Sequence, residues 1–380
     1  MTKRHEIAKS LGQSPIGVPF DKILSPTRAQ FQGREITLVG TNNYLGLTFN
    51  EQVCQAMIES IEAMGSATTG SRQANGTYGV HKKLEHDFQT FFEMQSAIVF
   101  TTGYQTNLGV ISALAGGGDH ILIDADSHAC IYDACRLTDA ATHRFRHNDP
   151  DNLDKRLKRL PEAGGRLVVV EGMYSMFGDV APLAEMVEIA HANNAMIFVD
   201  EAHSIGCFGA QGRGVAEAQG VLHDVDFISG TFSKSLASIG GFCVSKHPEF
   251  ESVRLTSRAY MFTASGAPAN IAAAHAALQQ LQGMPQLRES LWTMSNRLHD
   301  GLSSMGFDLC APVAPVIAVR RSDEATAVME WNRLFEQGVY VNLAVPPATP
   351  GGTSLLRLSV SALHTEQEID QVLEAFSRLS

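Results

Sequence analysis

The stretch Met196-Ile197-Phe198-Val199-Asp200-Glu201-Ala202-His203-Ser204 runs from a short apolar segment straight into an acid. An apolar run of four to eight residues, rich in β-branched and aromatic side chains and closed by a polar or turn-forming residue, is the pattern of a buried strand. The same texture recurs at Ala97–Phe100, His120–Ile123, Leu167–Val170, Phe227–Ser229 and Gly241–Val244. Helical periodicity fills the intervals, as in Gln105–Ala115 and Pro182–Asn193, and is long enough for right-handed crossovers between parallel strands. The expectation is an α/β fold, with a large domain over residues 51–267. After Pro268 the texture shifts to long helical stretches (Asn270–Gln282, Leu287–Met305). Then come strand-like segments at Pro315–Val319, Val339–Val345 and Ser354–Val360, and helical ones at Ala325–Gln337 and Glu366–Leu379. Residues 268–380 therefore read as a smaller α+β domain, and residues 1–50 as an N-terminal arm packed on it.

The chemistry collects where these strands end, the place where open α/β sheets bind ligands. An acid leaving a buried strand is costly unless a cation or donor meets it. A protonated pyridine nitrogen is such a cation, and a carboxylate at Asp200 would keep it protonated and electron-withdrawing. His203, three residues on, would reach the same ring. Taken alone, the hexapeptide is also what a turn-capping Asp and a satisfied core His look like.

It does not stand alone. Gly230-Thr231-Phe232-Ser233-Lys234-Ser235, followed by Gly240-Gly241, places a lysine among small hydroxyl residues directly after a strand. A Schiff-base lysine needs that partial desolvation, and hydroxyls at Thr231 and Ser233 suit a phosphate. Thr101-Thr102-Gly103-Tyr104-Gln105-Thr106-Asn107 follows a strand and opens a helix, so its N–H groups and the helix dipole can receive an anion. Asp124-Ala125-Asp126-Ser127-His128 brings an imidazole to a further strand end, suited to stacking on one face of a ring. Each motif has a bland alternative, an N-cap or a loop His. Four of them in order, each at a strand end, do not.

Composition narrows the rest. The chain has 380 residues, 44% of them hydrophobic, enough for a large core, and a formal net charge of −11 with no basic run. A nucleic-acid backbone finds no positive patch to bind. No apolar stretch approaches the roughly 20 residues that span a bilayer, and Met1-Thr2-Lys3-Arg4-His5 leads into a polar segment. The expectation is a cytoplasmic protein. Six cysteines without a CxxC pair indicate neither a metal site nor a disulfide framework.

The series TTGYQTN, DADSHACIYD, DEAHS and GTFSKS resembles the α-oxoamine synthases, fold-type I enzymes dependent on pyridoxal 5'-phosphate, from about residue 20 to the C-terminus. Residues 68–77 (TTGSRQANGT), 145–148 (FRHN), 171–175 (EGMYS) and 346–350 (PPATP) are most similar to the soluble bacterial serine palmitoyltransferase branch. The resemblance implies a large domain with a mostly parallel sheet of the seven-stranded type. It implies an aldimine at Lys234, Asp200 on the ring nitrogen, His203 on the phenolic oxygen and His128 on the ring face. Gly103 and Tyr104, with Thr231 and Ser233, would hold the phosphate, and Ser175 would lie on the cofactor side. Thr263 would reach the phosphate of a neighbouring subunit, so that a homodimer shares its sites. Asn43 and Arg357 would meet the amino acid, Arg357 through its carboxylate. The implied reaction is a decarboxylating Claisen condensation of serine with palmitoyl-CoA or a carrier-protein thioester, giving 3-ketodihydrosphingosine.

The chain departs from the branch at Val345, where an arginine is usual before the PPATP turn. That keeps sister activities open: 8-amino-7-oxononanoate synthase, 2-amino-3-ketobutyrate CoA ligase, an autoinducer-type synthase, or a fold-type I aminotransferase.

Overall fold

The computed structural model describes residues 14–379 and resolves two compact units. The first thirteen residues of the expected arm lie outside the described residues.

The larger unit comprises residues 50–174 and 180–284. Its seven-stranded sheet has the order Ser96–Phe100, Gly241–Ser245, Phe227–Thr231, Met196–Asp200, Arg166–Glu171, His120–Asp124, Ala141–Phe145. Gly241–Ser245 runs antiparallel to both neighbours, and every other pair is parallel. Six of these strands were expected within one or two residues of their ends. Ala141–Phe145 was not, because as an edge strand it buries only Phe145 and otherwise presents polar side chains, as exposed edges do to discourage further pairing. The helix Pro268–Gly283 packs against Glu51–Met64 and Gly79–Phe92. By these contacts it belongs to the larger unit, although its sequence texture grouped it with the C-terminal segment.

The opposite edge strand, Ser96–Phe100, is closed by ionic groups. Arg254 donates to Ala97 O (2.8 Å) and Arg72 to Val99 O (3.2 Å), while Val99 N donates to Glu85 Oε1 (3.2 Å). Glu85 also accepts from Arg72 Nη2 (2.9 Å) and Arg254 Nη1 (2.9 Å), and both guanidinium groups lie against the Tyr260 ring. Burial pushes the Glu85 carboxyl up, but Arg72 and Arg254 outweigh it and hold it below the usual carboxylate range. Satisfied in this way, the strand's outward N–H and C=O groups leave no bare edge beside the site.

The smaller unit comprises residues 14–49, 175–179 and 285–379. Strands Lys22–Ser25, Arg28–Phe31 and Arg34–Leu38 form an antiparallel meander that Val339–Tyr340 extends in parallel. A second sheet orders Val316–Arg321, Ser354–Ser359 and Asn342–Ala344, all antiparallel. The N-terminal segment is thus woven into this unit by backbone hydrogen bonds.

Because Glu85 meets the buried Arg72 and the part-buried Arg254, Glu85→Gln leaves Arg72 undercompensated, while Arg254 keeps Glu251. The substitution is expected to cost about 3 kcal/mol of unfolding free energy, read as a lower urea midpoint at unchanged slope. A loss below about 1 kcal/mol would show the network to be dispensable.

Candidate active site

At the carboxyl ends of the central strands lies a cleft of about 430 Å³ within the larger unit. Gly103, Tyr104, His128, Asp200, His203, Thr231, Ser233 and Lys234, all singled out from sequence, line it together.

Each is placed by an identifiable local device. Lys234 sits in a turn closed by Phe232 N to Gly240 O (3.0 Å) and Ser238 N to Phe232 O (3.0 Å). The turn lies on a stack of rings, with Phe88 and Phe242 4.0 Å apart and nearly parallel. A Cβ on Gly230 would fall 2.5 Å from Phe242, and one on Gly240 2.2 Å from Phe232, so only glycine allows the rings to sit this close. Thr231 Oγ1 and Ser233 Oγ are 2.9 Å apart, and both residues line the cleft together with Gly103, at the start of the helix Gly103–Leu114. Thr102 caps that helix, accepting Gln105 N at 3.1 Å. A Cβ on Gly103 would meet the Cβ of Thr231 at 2.7 Å, and one on Gly241 would meet Gly103 Cα at 2.7 Å. The helix start, the strand and the hydroxyl loop therefore approach as backbone alone, which concentrates N–H and O–H donors at one end of the cleft.

At the other end, Asp200 is 6% exposed. Its Oδ1 accepts Ala202 N (2.8 Å) and its Oδ2 accepts Asn107 Nδ2 (2.6 Å). His128 caps the helix Ala129–Arg136, and its backbone N–H donates to Glu171 Oε1 (2.5 Å). The Tyr104 ring meets the His128 ring edge-on, its hydroxyl donating to Asp133. Burial pushes the His128 imidazole down; Asp200 opposes that shift and Lys234 adds to it. Glu171, beside Asp200 in register, is pushed well up by burial first and by Asp200 second.

The donor set fits a phosphorylated pyridine aldehyde: hydroxyls and a helix N-terminus for the phosphate, an amine for the aldehyde and a carboxylate for a protonated ring nitrogen. Among the described residues no group of three or more His, Cys, Asp or Glu is placed to hold a metal ion.

The other expected residues lie outside this cleft. Thr263 accepts from Gln105 Nε2 (3.3 Å) and lines a small separate hollow beside Arg72 and Tyr260. Ser175, Asn43 and Arg357 belong to the smaller unit. There Arg357 donates through Nε to Ser175 O (2.6 Å) and through both terminal nitrogens to Asn42 Oδ1 (3.1 Å each). Asn43 donates to Thr48 Oγ1 (2.9 Å), and its own Oδ1 is buried without a hydrogen-bond partner among the described residues.

Asn107, Cys130 and Glu171 are among the cleft residues that carry no role in the sequence reading. Each stands in or beside a quoted motif, yet nothing in its spacing marks it, because the partner of Asn107 is 93 residues away.

The chain matches the aminotransferase class I and II family over residues 34–376 and belongs to that family. Its structure is that of a fold-type I transferase. It is 51% identical to the serine palmitoyltransferase of Caulobacter vibrioides over 376 residues, 99% of this chain and 93% of that protein. The solved serine palmitoyltransferase of Sphingomonas wittichii superposes with a TM-score of 0.97 at 50% identity, covering 100% of this chain and 95% of that one. A solved structure of SPT with its PLP internal aldimine gives a TM-score of 0.97 at 47% identity, over 100% of this chain and 96% of that one.

Glu201, between Asp200 and His203, is fully buried and holds the glycine-rich segment that follows, accepting Val215 N (3.0 Å), Ala216 N (2.8 Å) and the Ser204 hydroxyl. Burial raises it from 4.5 to about 7, against these hydrogen bonds. The folded chain therefore binds an extra proton between those values, and this contribution to stability is lost as pH rises from about 4.5 to about 7. Glu201→Gln, permanently neutral, is expected to flatten the fall in urea midpoint between pH 5 and pH 7.5. An unchanged slope would show that Glu201 titrates in the ordinary range.

Proposed function

We propose that this chain catalyses the decarboxylating condensation of L-serine with a long-chain acyl-CoA, palmitoyl-CoA above all, to 3-ketodihydrosphingosine, with pyridoxal 5'-phosphate as cofactor. The observation that carries the reading is the convergence of Lys234, Asp200, His203 and His128 in one cleft beside a phosphate cradle, in a chain alike over its whole length to serine palmitoyltransferases. When bound, the cofactor supplies an aldehyde for the substrate amine and a conjugated ring that takes up charge from the α-carbon.

The chain's own groups do the rest. The Thr231 and Ser233 hydroxyls and the N–H groups at Gly103 and Tyr104 bind the phosphate. Asp200 holds a proton at the ring nitrogen, and His203 donates to the phenolic oxygen. His128 covers one ring face and limits how the substrate can turn. Lys234 would hold the aldehyde, and its Nζ is the base that would take the α-proton of the substrate. Arg357 is the partner for the serine carboxylate. Among the described residues its fork is held by Ser175 and Asn42 with three bonds, out of five N–H donors available to a guanidinium. The unpartnered Oδ1 of Asn43 suits the substrate side.

Val345 leaves the position before the PPATP turn without a guanidinium side chain. Its carbonyl accepts Ala348 N (3.0 Å) and closes the PPATP turn, so the backbone rather than a side chain has the local role. Among the described residues no helix is long and apolar enough to cross a membrane. A cytoplasmic homodimer, with Thr263 completing the partner's phosphate site, and delivery of the acyl chain by CoA or a carrier protein complete the proposal.

The test offers cofactor-loaded protein serine, alanine, glycine or threonine with palmitoyl-, octanoyl- or acetyl-CoA, following thiol release and product mass. Release with serine and a long chain alone is expected, and Lys234→Ala should lose both turnover and the visible cofactor band. Release with another pair would move the chain to a sister activity, and no release of thiol with any pair would overturn the acyl-CoA reading. Arg357→Ala is expected to raise KM for serine at least tenfold, the loss of about 1.4 kcal/mol or more, with KM for palmitoyl-CoA within about twofold. Equal loss for both substrates would remove Arg357 from the carboxylate.

A further inference from the structure

A hydrogen-bonded chain that no step above uses joins the two cofactor groups. Asn107 lies in the helix Gly103–Leu114 and is 2% exposed, with both ends of its amide engaged. Oδ1 accepts the Ser229 hydroxyl at 2.8 Å; Nδ2 donates to Asp200 Oδ2 at 2.6 Å and to Cys130 Sγ at 3.1 Å. Because a carboxylate only accepts, the amide's NH2 end must be the one that faces Asp200. Cys130 Sγ lies 2.9 Å from His128 Nδ1. That nitrogen also accepts the backbone N–H of Cys130 (3.2 Å), so it carries the lone pair and the proton of the neutral ring is on Nε2. Burial, with Asp200 adding to it, pushes the Cys130 thiol well up, which keeps the S–H that Nδ1 needs. Donors and acceptors agree at every link: Ser229 O–H to Asn107, Asn107 N–H to Asp200 and Cys130, and Cys130 S–H to His128.

We propose that Asn107 and Cys130 are positioning residues that tie Asp200 to His128, so that the carboxylate for the ring nitrogen and the imidazole for the ring face share one fixed arrangement with His128 as its Nε2–H form. The inference rests on the reading of Asp200 and His128 as cofactor groups. Helix, strand end and capping loop each contribute one group to the bridge, so a shift in any one of them is felt by both.

A buried cysteine also packs as a small hydrophobe, and two variants separate that role from the bridge. Cys130→Ala removes the donor to Nδ1, whereas Cys130→Ser keeps one. In cofactor-free protein labelled with 15N-histidine, with the His128 signals assigned by their loss in His128→Gln, Cys130→Ala is expected to raise the His128 pKa by about half a unit or more, because a hydrogen bond to the neutral form has been lost. Cys130→Ser should restore the wild-type titration. In protein loaded with pyridoxal 5'-phosphate, Asn107→Ala is expected to weaken retention of the cofactor about tenfold and to move the pH midpoint of its visible absorption. Asn107→Ser, which returns a small donor towards Asp200, should fall between, and it stands in if the alanine variant does not fold. Identical His128 titrations in wild type and Cys130→Ala, together with an unmoved absorption midpoint in the Asn107 variant, would overturn the proposal and leave the bridge as packing. An absent visible band in the wild-type protein would instead defeat the cofactor reading, which the histidine titration does not depend on.

Discussion

A carboxylate held at the end of a buried strand is the constraint around which the larger unit is arranged. Asp200 is almost inaccessible, and an ionised group so placed costs several kcal/mol unless donors and a cation surround it. Two donors come from the protein, the Ala202 N–H and the Asn107 amide. The first follows from the turn that ends the strand, but the second requires the helix Gly103–Leu114 to lie directly over the sheet. That demand passes outward through Ser229, which orients the amide, and through Gly103 and Gly241, whose missing side chains let helix and strand meet. Lys234 lines the same cleft, and under the proposed function a protonated ring nitrogen would supply further compensation.

Two carboxyl groups stand side by side there. Glu171 and Asp200 are paired in register on adjacent parallel strands, and two buried acids so close cannot both ionise cheaply. The asymmetry of their surroundings separates them. Asp200 receives two donors on different oxygens, while Glu171 receives the His128 backbone N–H on one oxygen and is driven upward by burial and by its neighbour. Glu171 thereby fixes the His128 loop through the hydrogen bond it accepts from the His128 backbone N–H.

The seven-stranded sheet was readable because five of its strands are buried along nearly their whole length and mostly apolar. The strand Ala141–Phe145 was not, since its edge position permits Thr142, His143 and Arg144, which erase the strand pattern. The site was legible in the same uneven way. Lys234, Asp200, His203 and His128 each sit at a strand end beside turn residues, a local signal. Asn107 acts through partners distant in sequence, Asp200 and Ser229, and only the packing of helix on sheet brings it there; Cys130 lies two residues from His128, but its contact with Asn107 depends on the same packing. Helix Pro268–Gly283 shows the converse limit: its periodicity was plain, but which unit it would pack against was not written in it.

The glycines at the cleft bear on how far the site can change. Gly230 and Gly240 lie over Phe242 and Phe232, and Gly103 lies over Thr231, each at a separation that excludes a Cβ. The lysine-bearing turn thus rests on a rigid aromatic floor, and the phosphate end is bounded by backbone on two sides. Neither boundary can move outward without breaking ring stacking or the Thr102 cap. Such a frame tolerates little variation in the ligand it accepts. The smaller unit has close contacts of the same kind, since a Cβ on Gly46 would fall 2.5 Å from Leu363 and one on Gly178 2.2 Å from Val316 O. The constellation around Lys234 is thus held by contacts inside the larger unit alone, and Val345 stands outside that frame.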